Sequence, residues 1–154
     1  MRFPERARQV TPEEHPEVSS WLNSLTGNPR YINFLTHNTT IGVWLSLSRL
    51  FWPHFKEVQG CVLWEGFYNP DNFQMWHREL NGDPQSLEAT INRLRMWDII
   101  DCEDSPADNA ALDSIADSLR NCWAAALREK YPNIDFSVVV IATEDGPIVS
   151  FARR

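Results

Sequence analysis

The sequence predicts an α+β protein in which an antiparallel sheet of three or four strands, built from two hairpins, packs with about six helices. Two observations carry this. Hydrophobic periodicity switches from helical spacing to alternation only twice, at residues 55–64 and 134–152. The remaining segments open on capping residues followed by proline, the signature of helix starts. Helices and hairpins are thus segregated rather than alternating one for one, which argues against a parallel βαβ architecture.

Thr11-Pro12-Glu13-Glu14 opens the first helix: Thr11 can cap, Pro12 suits the first helical position, and two glutamates favour the positive end of the helix dipole. This helix is expected to run to Leu25, with Gly27 as terminator. A short helix around Pro29–Thr36 follows, and a third from Thr40 to Phe51. In the third, Ile41, Trp44, Leu45, Leu47 and Phe51 are spread around the helix, which predicts a central position; Pro53 stops it.

Phe55–Val58 and Cys61–Trp64 read as two short strands joined by the turn Gln59-Gly60, where Gly60 supplies a positive φ. A single strand bulged at Gly60 is the alternative. Asn69-Pro70-Asp71 starts a helix closed by Asn81-Gly82, and Asp83-Pro84 starts another to about Trp97. Ser105-Pro106 begins the longest helix, ending near Lys130, with Leu112, Ile115, Ala116, Leu119, Trp123, Ala126 and Leu127 on one stripe. Ile134–Ala142 and Ile148–Ala152 flank Asp145-Gly146, a hairpin signal whose loop Pro147 is expected to lengthen beyond two residues. Val139 and Ile141 on the second face of the first of these strands predict an internal strand.

No repeat, linker or change of composition divides the chain, so residues 1–154 read as one domain of common size. With 43% hydrophobic and 23% charged residues, it has the composition of a folded protein rather than a disordered one. The start of the chain, Met1-Arg-Phe-Pro-Glu-Arg6, lacks the apolar core of a secretory signal, and no apolar run approaches the roughly 20 residues of a membrane span. Three cysteines (Cys61, Cys102, Cys122) without ligand spacing fit free thiols in a reducing cytoplasm better than a disulfide framework.

The net charge of −7 is unevenly placed. Residues 1–60 hold six basic and five acidic groups, and residues 61–154 hold eight and sixteen. That balance lacks the basic surface needed for nucleic-acid binding. Between Asp98 and Asp117 stand seven carboxylates (Asp98, Asp101, Glu103, Asp104, Asp108, Asp113, Asp117) with no Lys or Arg. Helix-dipole stabilisation accounts for those near Ser105 but not for Asp113 and Asp117, which lie deeper in the helix. Tested as a calcium loop, Asp101–Asp108 fails, because Pro106 stands where glycine is required and the terminal glutamate is missing.

Catalytic constellations are weak. The four histidines form no HExxH or i, i+4 metal pair, there is no GxSxG motif, and six glycines leave little for a phosphate cradle. Neither a metal nor a cofactor is expected. A cleft using His54, Glu57, Glu65 and His77 as polar groups is the enzymatic or ligand-binding alternative. A nucleophilic Cys61 is disfavoured by its apolar strand. The reading these features favour is a binding domain, without a catalytic role, that meets a basic protein through Trp97, Asp98, Asp101, Glu103, Asp104, Asp108, Asp113 and Asp117, in the manner of an immunity protein neutralising a basic toxin or nuclease. A homo-oligomer with aromatics in its self-interface is a third expectation.

Overall fold

In a computed structural model, residues 8–154 are described, and the capping chemistry places most helix starts where the sequence puts them. Helix α1 (Pro16–Asn23) is followed by α2 (Tyr31–Asn38) and α3 (Ile41–Phe51), then by strands β1 (Phe55–Val58) and β2 (Cys61–Trp64). Next come α4 (Pro70–Glu79), α5 (Pro84–Ile91), β3 (Arg93–Arg95), α6 (Pro106–Lys130), β4 (Phe136–Thr143) and β5 (Gly146–Arg153). Among the described residues the fold is α+β with six helices, as the segregated pattern implies.

Asn69, Asp83 and Ser105 each accept a hydrogen bond from a backbone N–H of the first turn they cap, and proline follows each. The expected first helix, by contrast, is broken. Pro12–Glu14 forms one 3₁₀ turn, and α1 begins afresh at Pro16. A proline holds the residue before it out of the helical region, and His15 is extended (φ −79°, ψ 132°).

The first hairpin forms as expected, with Gln59 (φ 47°) and Gly60 (φ 81°) both left-handed in the two-residue turn. The second departs from expectation in three ways. Its turn is also two residues long, since Thr143 pairs directly with Gly146. Its first strand, β4, lies at an edge, and β5 is the internal strand of the order β3-β5-β4. Val139 and Ile141 are correspondingly 41% and 36% exposed. The third departure is β3 itself, which takes residues 93–95 from the expected end of the fourth-to-fifth helical region. Arg93, Leu94 and Arg95 alternate exposed, buried, exposed, a pattern too short to stand out in sequence.

The two hairpins belong to separate sheets. Helix α6 lies across β4 and β5 and buries Leu112, Ala116, Leu119, Trp123, Ala126 and Leu127, its predicted stripe apart from half-buried Ile115. Trp123 meets Trp64 and Phe151 at ring-centroid distances of 5.1 and 6.0 Å. Strand β2 is buried along its whole length: Val62 and Trp64 enter this main core, while Cys61 and Leu63 enter a second one with Phe73 and Leu87.

What joins the sheets is a pair of polar side chains. Glu88 on α5 and Asn92, the residue that caps its C-terminus, stand one turn apart and are 0% and 1% exposed. Glu88 accepts from the Val62 N–H at 2.8 Å, and Asn92 accepts from the Trp64 N–H at 2.9 Å. Four helical residues rise about 6 Å and two strand residues about 6.6 Å, so an i, i+4 pair matches alternate strand donors. Asn92 also donates to the carbonyls of Val62 and Phe151, while Glu88 accepts from the backbone and guanidinium of Arg153. Arg153 reaches on to the Gly60 carbonyl at 2.7 Å. The open edge of β2 is thus satisfied by side chains, and the hairpin needs no third strand.

The expected central position of α3 is not what is found. None of its residues is buried; only Leu47, Leu50 and Phe51 are half-covered, and the Leu50 carbonyl accepts from the Trp123 indole at 2.9 Å.

Candidate functional site

The start of α6, the segment leading into it and the β4–β5 turn enclose a groove of about 490 Å³. Ser105 caps α6 at the Asp108 N–H, which fixes the helix origin, and Asn109 donates to Asp104 at 3.0 Å and orients that carboxylate. On the opposite wall the Thr143 hydroxyl donates to the Gly146 carbonyl at 2.7 Å and closes the turn. Gly146 has φ 128°, and a Cβ there would stand 3.3 Å from the Trp97 ring. Glycine at this position therefore allows both the backbone conformation and the close seat of Trp97 against the hairpin.

Five carboxylates line the groove, those of Glu103, Asp104, Asp113, Glu144 and Asp145, and among the described residues no Lys, Arg or His joins them. The first three belong to the acidic block read from the sequence. Glu144 and Asp145 come from about 30 residues further on and were not anticipated; only the tertiary pairing of the hairpin with α6 brings them in. Half-buried Trp97, with Leu112 and Pro147, supplies an apolar floor.

The other members of the block stand elsewhere. Asp98 is exposed on a 3₁₀ turn outside the groove, and Asp101 faces a neighbouring cavity. Asp117 is paired with Arg120 at 3.1 Å. Asp108 accepts from His15 Nε2 at 2.8 Å and from the Glu103 N–H at 2.7 Å. The His15 hydrogen bond and then the Glu103 amide hold its carboxyl below the ordinary aspartate value.

His15, Asp108 and exposed Cys102 line that neighbouring cavity of about 370 Å³, a combination with the outline of a thiol triad. The ring nitrogens exclude that use. Nδ1 accepts from the Glu17 N–H at 3.3 Å, so Nε2 carries the hydrogen given to Asp108. No lone pair is left to take a thiol proton. The pair instead ties the N-terminal segment to α6, together with the Val10 N–H, which donates to the Ser114 hydroxyl at 2.9 Å.

Of the alternative set of polar residues, His54 and Glu65 come together, 4.0 Å apart, while Glu57 and His77 stand elsewhere. His54 and Glu65 meet Arg49 beside Trp64, with Arg49 3.0 Å from His54 Nε2 and 3.7 Å from Glu65. All three side chains are more than half exposed. Glu57 projects from β1 into solvent, and His77 packs on Phe73 at 5.7 Å in α4. Among the described residues, no three His, Cys, Asp or Glu side chains are arranged to hold a metal ion. No described helix is long and apolar enough to cross a membrane.

Comparison with protein families, with curated proteins and with solved structures finds no match to the chain.

Proposed function

We propose that the chain is a small binding domain that takes up a basic segment of another protein in the acidic groove, as an immunity-type neutraliser of a basic toxin or nuclease would. The observation that supports this most is the concentration of Glu103, Asp104, Asp113, Glu144 and Asp145 around one concavity, with no compensating base among the described residues. Like charges held together cost stability wherever they are gathered. A cationic side chain entering the groove would relieve five of them at once, and Trp97 offers a face for guanidinium stacking. The uncovered edge of β4 runs into the same groove through Ala142 and Thr143, so an extended segment has backbone groups to pair with beside the carboxylates. Three cysteines with no disulfide among them fit a partner met in a reducing compartment.

The test uses a fluorescent arginine-rich peptide as probe and two variants of equal charge change. Glu103→Lys with Asp104→Lys reverses the groove; Asp71→Lys with Glu79→Lys makes the same change on α4, at two other exposed residues. The groove variant is expected to slow association about tenfold or more at low salt, and the α4 variant about twofold or less. Equal effects of the two would reduce the attraction to net charge and remove the groove from the explanation.

A further inference from the structure

From Val18 to Lys56 the chain contains no Asp or Glu, although it has 21 elsewhere. The same region carries much of its exposed apolar surface: of thirteen exposed large hydrophobic residues among those described, eight lie between Leu25 and Trp52. Helix α3 and its C-terminal capping residue Trp52 concentrate the effect. Ile41 is 86% exposed, Leu45 70%, Trp52 46% and Trp44 43%. Ile41, Leu45, Ser48 and Trp52 recur at intervals of four, three and four, the seam spacing by which one helix packs along another. Helix α3 turns its other side, through Leu50 and Phe51, to the main core, so the seam has no partner among the described residues.

We propose that this seam is a self-association surface, on which α3 of one copy packs antiparallel against α3 of a second copy about a two-fold axis. Three observations select a second copy as the occupant. In a two-fold contact groups near the axis meet their own images, so a net acidic chain pairs most readily where the facing residues carry no carboxylate, and the seam residues Ile41, Leu45, Ser48 and Trp52 carry none. The acidic groove fails the same requirement, which leaves it open for a basic partner. The area also fits. At their exposures the four apolar residues present on the order of 500 Å², well over half of the roughly 800 Å² per partner of a standard interface. Finally, Ser48 in the seam is small and lets two helix axes approach, with Trp44 and Trp52 as flanking anchors. A lipid surface is the less favoured occupant. Membrane-surface helices carry several Lys or Arg on the polar face, whereas α3 has only Arg49, already engaged with His54 and Glu65.

Sedimentation equilibrium of the full chain across the micromolar range tests this, with Leu45→Glu and, separately, Ile41→Glu. Both residues are so exposed that far-UV circular dichroism and melting of the dilute protein should not change. The wild type is expected to form dimers, and each substitution to raise the dissociation constant about 30-fold or more. A wild type that stays monomeric throughout, or dimers indifferent to both substitutions, would overturn the proposal. Flotation of a monomeric wild type with phosphatidylcholine–phosphatidylglycerol vesicles, lost in Leu45→Glu, would assign the seam to lipid and overturn it equally.

Discussion

Glu88 is the most consequential single side chain in the fold, because a carboxylate with no exposed surface serves two backbone donors and one guanidinium. A buried ion pair gains little over a well-packed apolar pair, yet losing one partner strands the other. Glu88→Leu would leave the Val62 N–H and Arg153 without their acceptor, and should cost about 3–5 kcal/mol in denaturant unfolding. Asn92→Leu, which orphans the Trp64 N–H, should cost about 1–3 kcal/mol. The two losses should be non-additive in a double-mutant cycle, since both side chains clasp the same strand. Additive losses would mean that they act separately.

Asp108 makes a different kind of prediction, one in pH. Its folded carboxyl releases its proton more readily than the usual 3.8 because His15 and the Glu103 amide hydrogen-bond to the anion. Near pH 4 the unfolded chain therefore binds more protons than the folded one, and stability falls as pH falls. This contribution is complete above the ordinary aspartate value and is lost as pH drops through the lowered one. Asp108→Asn should flatten the acid limb of a stability–pH profile while leaving Glu14, held low by the Thr11 amide, and Asp83, held low by the Ser86 hydroxyl and then its amide, to shape what remains. An acid limb as steep as that of the wild type would contradict the role given to the pair.

Helix starts were legible because capping is local: Asn69, Asp83 and Ser105 each need only the next three residues to act. Structure departs from sequence expectation where a distant partner or a neighbouring proline decides the outcome. Pro16, four residues beyond Pro12, breaks the expected run by sterics alone. The chain leaves α5 at Asn92, whose side chain is committed to β2 and to Phe151, thirty and fifty-nine residues away. The polar pair Glu88 and Asn92 at i, i+4, flanked by apolar Leu87 and Ile91, was the signal in sequence that could have exposed the clasp. The apolar run of β4 continues on both faces, the pattern of an internal strand, but the second face is half-open and the outer edge unpaired. An edge of this length without Lys, Pro or a bulge invites pairing with other chains. Val139→Lys should therefore change folding stability by less than about 0.5 kcal/mol and reduce thermal aggregation. Unchanged aggregation would show that the edge is not where chains meet on heating.

The whole molecule separates its surfaces by charge. One helical region is apolar and free of carboxylates, and the groove between α6 and the second hairpin is acidic, with no base among the described residues that line it. The sequence located the acidic block but could not show which members were free. Asp108 and Asp117 are engaged internally, whereas Glu144 and Asp145 complete the groove from another hairpin. If a basic segment binds there, amide chemical-shift mapping of the isotope-labelled protein with an arginine-rich peptide reports it residue by residue. The largest shifts should fall on the Trp97 indole and on Glu103, Asp104, Asp113, Glu144 and Asp145. Shifts spread evenly over the acidic surface, or centred on Arg49, His54 and Glu65, would contradict the groove as the binding site.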